Sequence, residues 1–497
     1  MKSIVSLYQT CSHCCSGFSI CTEMIGKLRS PTMISYGTGQ IAEAIKNSGF
    51  NVFLLFYYNQ VLGISATATS IALAIALVFD AFTDPLAGSL SDKYNSRWGR
   101  RHPFIFFSAF PLALTFFLLF NPPGDLGEFG LVLWLGVFAI LVRASMTFYH
   151  VPHLALGAEL AEDYDQRSTL YSFSVFLGYM GGAIFVPLSY RVFFPTTQEF
   201  NPALLNEDAY FFWSLFAGVL MILAIFICVY GTRSEIPRLR SRTNKNLAKF
   251  DFSRLYKELS DAFSNSSFQA IFFGMILCMF IISVEGVLNP FMGFHFWEMT
   301  TEQLSFFSFG QLAGLILSVF FVPFCTTRFD KKATLIGCAL AVVVIVNVPI
   351  VMVLFDFAWF PQPGSTALLA ILVINTGITT LLAIALFATI NSMFADITDE
   401  HELEIGERRE GIIFSARSFA NKATASVGLV FGGILLDYIA FPRGAVTGQV
   451  PEDIVWQLGF IAGPATSVFT VLGLLLFLRY KINRKRHGEI VRSLNRE

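Results

Sequence analysis

Apolar residues fall into long blocks separated by short polar breaks. The blocks cover residues 35–62, 66–90, 103–121, 129–156, 168–192, 209–231, 268–292, 303–325, 332–355, 365–394, 411–440 and 456–480. A bilayer core about 30 Å thick needs about 20 apolar residues per helix, so each block predicts a transmembrane helix. Several exceed that minimum, which predicts tilt or ends that run beyond the lipid. The longest polar stretch, 232–266, follows the sixth block. The expected fold class is therefore all-α, a polytopic membrane protein with twelve transmembrane helices in two six-helix halves, 34–231 and 267–480. Residues 232–266 form a cytoplasmic linker and 481–497 a cytoplasmic tail. Residues 1–33 are expected to be a leader without fixed structure.

Charge sets the orientation. One set of loops holds Lys93, Arg97, Arg100 and Arg101, then eight Lys and Arg residues between Arg233 and Lys257, then Arg328, Lys331 and Lys332, then Arg408 and Arg409. The tail adds Lys481, Arg484, Lys485 and Arg486, whereas the opposite loops offer little beyond Arg191 and Arg443. Basic loops stay on the cytoplasmic side, so both termini are expected to be cytoplasmic in a cell (plasma or inner) membrane. Composition agrees: 54% of residues are apolar and 14% charged, against roughly 25% charged in soluble domains. The formal net charge of −1 argues against a nucleic-acid partner. No glycine-rich phosphate loop ending in Lys-Ser/Thr is present, which argues against an ATP-driven pump.

Eight cysteines add little. Cys228, Cys278, Cys325 and Cys338 sit singly in or beside apolar blocks, as small hydrophobes do. Cys11, Cys14, Cys15 and Cys21 cluster with His13, but their spacing matches no closed zinc site. The leader has no continuous apolar run, so it is not a secretory signal. Met24 and Met33 are alternative starts.

The second block contains "LVFDAFTDPLAG", with Asp80 and Asp84 four residues apart. Residues i and i+4 share a helix face. Each charge at mid-bilayer costs about 2.5–3.5 kcal/mol. At about 6 Å and an effective dielectric near 20, their repulsion adds about 3 kcal/mol. Either a bound cation or shared proton offsets this, or a basic side chain from another helix does, with Arg143 and Lys46 the candidates. Carboxylate oxygens suit Na⁺ or H⁺. Thr83 adds a hydroxyl, and Pro85 breaks a backbone bond and frees a carbonyl.

Three stretches carry a family resemblance. "DAFTDPLAGSLSDKYNSRWGRRHPF" resembles the major facilitator superfamily, and within it the glycoside–pentoside–hexuronide:cation symporter family, whose type member is the melibiose permease. "HVPHLALGAELAEDYDQRS" resembles the family's exit from helix four. "FADITDEHELEIGERREGIIFSARSFANK" resembles its passage from helix ten into helix eleven. The resemblance implies a secondary active transporter. It would carry a sugar or glycoside with Na⁺ or H⁺ by alternating access, as a monomer, with no enzymatic activity, no resident metal and no organic cofactor.

Carried over residue by residue, the resemblance places Asp80 and Asp84 on the two helix-two carboxylates that bind the coupling ion. Thr83 falls where the permease has an Asn, and Thr147 falls on its helix-four Thr ligand. Lys422 falls on the helix-eleven Lys. The helix-four Asp is replaced by His150, which is therefore a candidate at the cation site. The sugar-stacking Trp falls on Leu154, the helix-five Arg on Val175 and the helix-one Asp on Ala44, beside Glu43. Matched hydrogen bonds decide polar specificity, so the substrate is not expected to be melibiose. His150 before Val-Pro also resembles the sodium-dependent lysolipid symporters. An amphipathic lipid is thus a rival substrate, and a non-transporting scaffold or sensor is a rival of another class.

Other intramembrane charges mark a pathway by default. Lys422, Arg417, Glu43, Glu285 and Asn375 are the candidate substrate residues. Arg417 either serves substrate or pairs with Glu285 or Glu43. Glu43 also stands one turn from Lys46, and Asn375 one turn from Thr379. At the cytoplasmic ends, Asp92, Arg100, Arg101, Glu159, Asp163, Arg167, Asp396, Asp399 and Arg408 are expected to form a gate that closes the inner mouth.

Overall fold

A computed structural model of the chain describes residues 30–94, 96–161, 164–240, 263, 265–405 and 410–494. Eleven helices among them are long and apolar enough to cross a membrane. They are α2 (Ala66–Lys93), α3 (His102–Leu119), α4 (Glu128–Leu160), α5 (Tyr164–Val192), α6 (Glu207–Thr232), α7 (Ser266–Phe291), α8 (Phe307–Arg328), α9 (Lys331–Leu354), α10 (Thr366–Ile405), α11 (Glu410–Tyr438) and α12, which runs through residues 452–477. The remaining span, α1 (residues 30–61), is helical in successive pieces: Ser30–Thr38, Gln40–Ser48, Gly49–Leu54 and Tyr57–Val61. Its break is at Gly39, where a side chain would strike the Tyr149 hydroxyl and the His153 ring. With α1 included, all twelve expected spans are present.

The halves repeat one another in detail. α1 ends in a widened turn over Tyr57–Val61, and α7 runs into one over Met292–Phe296. In the first, the Leu62 and Ile64 N–H groups donate to Tyr57 and Tyr58. In the second, those of Trp297 and Met299 donate to Met292 and Gly293. Ser65 then caps α2, and Thr300 caps the short helix Thr301–Leu304 before α8. Such caps satisfy N–H groups that a helix start leaves unpaired.

Aromatic bulk packs the first half. Phe53 lies 4.5 Å from Trp213 and Tyr57 lies 4.3 Å from Tyr210, ring centre to ring centre. The polar tips are satisfied: Trp213 donates to Ser189 at 2.9 Å and Tyr58 to the Leu119 carbonyl at 2.7 Å. Aromatic side chains bury large areas on these terms, and here they clamp α1, α3, α5 and α6 together. In the second half, α8 and α10 cross on glycines. A Cβ at Gly310 would strike the Val373 carbonyl, and one at Gly314 the Gly377 carbonyl. Small residues let helices touch backbone to backbone where no water drives them together.

Two boundaries differ from expectation. Helix begins at Ser30, inside the expected leader, and α10 extends to Ile405 rather than stopping at 394, its last turns carrying Asp396, Asp399, Glu400 and Glu402 beyond the apolar block. Within the tail, Arg484–Ser493 forms a helix, α13, capped by Asn483 and fixed by the buried Ile490. The leader cysteines and linker residues 241–262 lie outside the described residues.

Replacing Gly314 by Leu should force α8 off α10. Overpacking costs typically 1–3 kcal/mol, and backbone contact puts this site at the upper end. Thermal unfolding in detergent should show a lowered midpoint, with Leu at the lipid-exposed Val319 as the neutral control.

Candidate functional site

The acidic pair lies on α2 where it packs against α4. Asp80 accepts a hydrogen bond from Arg143 Nη1 of α4 at 2.7 Å, and both side chains are largely shielded, with 14% and 13% exposure. Asp84 accepts from Thr147 Oγ1 at 3.0 Å and forms an ion pair with Lys422 of α11. The latter pair keeps 37% and 32% of its side-chain exposure, so solvent reaches Asp84 far better than Asp80. Each of the paired acids thus has a basic partner in this arrangement. The partners come from helices distant in sequence. One oxygen, Asp80 Oδ1, is buried and has no hydrogen-bond donor.

Around the pair lies a balanced cluster. Lys46 of α1 is within electrostatic range of Arg143, Glu43, Asp80 and Lys422. Glu43, Asp80 and Asp84 thus face Lys46, Arg143 and Lys422, three acids against three bases. Lys46 donates to Asn47 at 2.6 Å rather than pairing with Glu43, and lies 5.8 Å over the Phe50 ring. Arg143 stacks on the same ring at 5.0 Å.

Other candidates land elsewhere. His150 Nδ1 is 3.0 Å from Glu43 Oε2, so the imidazole links α4 to α1 and does not reach Asp80 or Asp84. Gln40 holds the same Glu43 oxygen. The Thr83 hydroxyl turns back to the Phe79 and Asp80 carbonyls, both at 3.3 Å, and adds nothing to the carboxylates. Asn375 ties helices here: its amide donates to the Ile345 carbonyl of α9 at 2.6 Å, and its oxygen accepts from Thr379 at 3.5 Å. Glu285 has no hydrogen bond or ion pair among the described residues. Arg417 lies on α11 more than a turn before Lys422, and Glu43 is already held by His150 and Gln40.

The residues expected at the cytoplasmic gate pair within each half. Arg100 and Arg101 each reach Glu159 at 3.0 Å, and Arg101 also holds Asp92 and Ser91. Arg167 donates to the Ala158 carbonyl at 3.4 Å. In the second half, Asp396 binds Lys331 at 2.7 Å, with Tyr480 at 3.2 Å and His487 at 3.3 Å; His487 also lies 3.5 Å from Asp399. Burial and the Asp396 carboxylate push the Tyr480 hydroxyl above its ordinary value, so it stays protonated and donates. These contacts join residues of one half and do not bridge the two, because the halves are drawn together at the opposite end. Asp163 and Arg408 lie outside the described residues.

That opposite end is held by residues the sequence did not single out. Asp437, near the end of α11, accepts from Ser65 Oγ at 2.7 Å, the Ala66 amide at 3.1 Å and the Thr67 amide at 2.8 Å. An acid at its own helix's C-terminus is unfavourable, whereas at another helix's N-terminus it is favourable. The one clue in sequence was an acid at the wrong end of an apolar block. Gln60 bonds Ala445 at 3.0 Å and Pro442 at 3.2 Å, and Arg443 donates to Gly63 at 2.5 Å. Farther round, Glu302 accepts from the Thr196 amide at 2.7 Å and Arg191 donates to Ser305 at 3.1 Å. Gly433 makes the closure tight, since a Cβ there would strike the Ala66 carbonyl of α2.

Two halves closed at one end around a buried charge cluster are the architecture of a membrane transporter. The family model for MFS/sugar transport proteins matches residues 35–484. The chain belongs to this family. It is 25% identical over 468 residues to the glucuronide carrier protein homolog of Escherichia coli K12, covering 93% of this chain and 94% of that one. It is 24% identical over 477 residues to the glycoside/cation symporter YagG of the same strain, described there as putative, covering 93% and 94%. It is 23% identical over 494 residues to sodium-dependent lysophosphatidylcholine symporter 1 of Mus musculus, covering 93% and 87%. Among solved structures, the xylose transporter XylE of E. coli superimposes with a TM-score of 0.57 at 15% identity, covering 94% and 97%. The nucleoside transporter NupG superimposes with 0.58 at 13%, covering 90% and 99%. The chain is thus a multi-pass membrane protein of a transporter family and not an enzyme.

Asp437→Ala removes three hydrogen bonds to one carboxylate. Charge-assisted bonds contribute about 1.5–3 kcal/mol each, so the closed end should open at least ten-fold more often. A cysteine placed at the buried Ser70, in a background without other cysteines, should react correspondingly faster with an impermeant maleimide.

Proposed function

We propose that this protein is a symporter that moves a sugar- or glycoside-type solute together with Na⁺ or H⁺. The observation that carries the reading is the Lys422–Asp84 ion pair, which joins the two halves and stays reachable from solvent. A small cation arriving at Asp84 takes the place of the Lys422 ammonium, with Thr147 as a second oxygen ligand. The exchange is charge for charge, so it avoids leaving a bare carboxylate, which costs 3–5 kcal/mol when buried. Lys422, once released, donates to a substrate hydroxyl. Ion and substrate then favour the same arrangement, which is what coupling requires. Arg143 keeps Asp80, so one ion moves per cycle. The coupling ion is the sole co-substrate in this scheme, and no cofactor takes part.

The basic loops favour cytoplasmic termini in a plasma or inner membrane. The Asp437 end is then external, and the arrangement is inward-facing. When the external end opens, the rims carrying Glu159 and Arg100 on one half and Asp396 on the other approach and close the inside. The protein acts as a monomer.

A lysolipid is the second reading. Leu154, Val175 and Ala44 offer no hydrogen bonds where the resembling sugar symporters have polar ligands, and one relative is named as a lysophosphatidylcholine symporter. Competition between a panel of glycosides and lysolipids separates the two.

Uptake into vesicles with Na⁺ and pH gradients imposed separately should show accumulation driven by one of them. Asp84→Asn should abolish accumulation while leaving the protein folded in the membrane; full-strength accumulation by that variant overturns the site. Lys422→Gln removes the competitor for Asp84. Ion affinity should therefore rise, and solute-stimulated ion binding should disappear in equilibrium binding.

A further inference from the structure

Away from the charge cluster, at the basic end of the second half, a groove of about 790 Å³ opens between the start of α9, the start of α7 and the chain that leaves α12. Its walls are of two kinds. Ile336 and the exposed Leu478 make an apolar flank beside the start of α9 and the end of α12. Lys332, Arg479 and Lys481 line the other side, against one acid, Asp330.

The state of each charge matters. Lys332 is fixed in place, donating to the Leu478 carbonyl at 2.5 Å and the Tyr480 carbonyl at 3.0 Å. Asp330 is engaged by the Arg484 amide at 3.2 Å. Its side chain makes no cap hydrogen bond to α9, so its negative charge stays at the helix start as the one acid of the groove. Arg479 and Lys481 are exposed and have no acidic partner among the described residues. Two exposed cations and a third fixed in place, against a single acid, make a site for an anion. The apolar flank makes it more than that. A free phosphate leaves Leu478 and Ile336 in water, whereas a phospholipid covers them with its acyl chain. Basic pockets between spans at a cytoplasmic surface suit anionic lipid head groups.

We propose that this groove binds an anionic phospholipid, its phosphate between Arg479 and Lys481 and its acyl chain along Leu478 and Ile336. The lipid then ties the end of α12 to the start of α9 and steadies the turn into α13. The leaflet that supplies it rests on the orientation proposed above; the chemistry of the groove does not.

The test uses the full chain in detergent. Phosphatidylglycerol, phosphatidylcholine and glycerol 3-phosphate are titrated separately, with thermal unfolding and native mass spectrometry as readouts. Phosphatidylglycerol should bind and raise the unfolding midpoint, with phosphatidylcholine and glycerol 3-phosphate far weaker. The double variant Arg479→Gln, Lys481→Gln should lose roughly thirty-fold in phosphatidylglycerol affinity while its midpoint without lipid stays unchanged. Wild-type lipid affinity in that variant overturns the proposal. So does equal binding of phosphatidylcholine, or protection by glycerol 3-phosphate at the same concentration, which would mark a free-anion site. Asp84→Asn should bind lipid normally, so failure of the transport reading is distinguishable. A cysteine at 481 that reacts only from outside would overturn the orientation and leave the lipid site standing.

Discussion

The ion pair between Lys422 and Asp84 is the constraint around which the rest is arranged. An acid that stays ionised within a membrane span needs a counter-charge, because desolvation exceeds what any single hydrogen bond returns. Here that counter-charge comes from the other half of the molecule. Neutrality of the site and association of the halves are thereby the same event. Arg143 performs the corresponding task for Asp80 inside one half, and stays shielded. The two carboxylates are one turn apart in sequence yet differ in what holds them and in what can reach them. That difference makes one a structural acid and the other an exchangeable one in the proposed cycle.

Closure at the opposite end follows the same economy of charge. Asp437 sits where its own helix disfavours a negative group and where α2 favours one. The contact therefore exists only while the halves touch, and its loss leaves both helix ends unsatisfied. Gly433 permits the approach, and Gln60 and Arg443 extend it with backbone bonds. A latch made of helix ends is rigid when shut and has no weak intermediate, as a two-state device needs.

The fold was almost wholly legible in the sequence. Block length gave every span, because lipid forces backbone groups to pair within a helix. The polar linker marks the two halves. The errors came where lipid stops deciding. The last turns of α10 run past the apolar block, where Asp396 and His487 set the structure by contacts between segments far apart in the chain.

The sequence by itself determined the twelve spans and set Asp80 and Asp84 on one helix face, since helical spacing and the cost of intramembrane charge are local properties; the family resemblance, not spacing, added the transporter class, Thr147 and Lys422. Only the tertiary structure decided the partners. It gave Asp80 to Arg143 and Asp84 to Lys422, turned His150 to Glu43 and Asn375 to a neighbouring helix, and made Asp437 a latch. Which charges meet depends on how helices rotate and cross, and that is fixed by packing over the whole molecule, beyond the reach of any single segment.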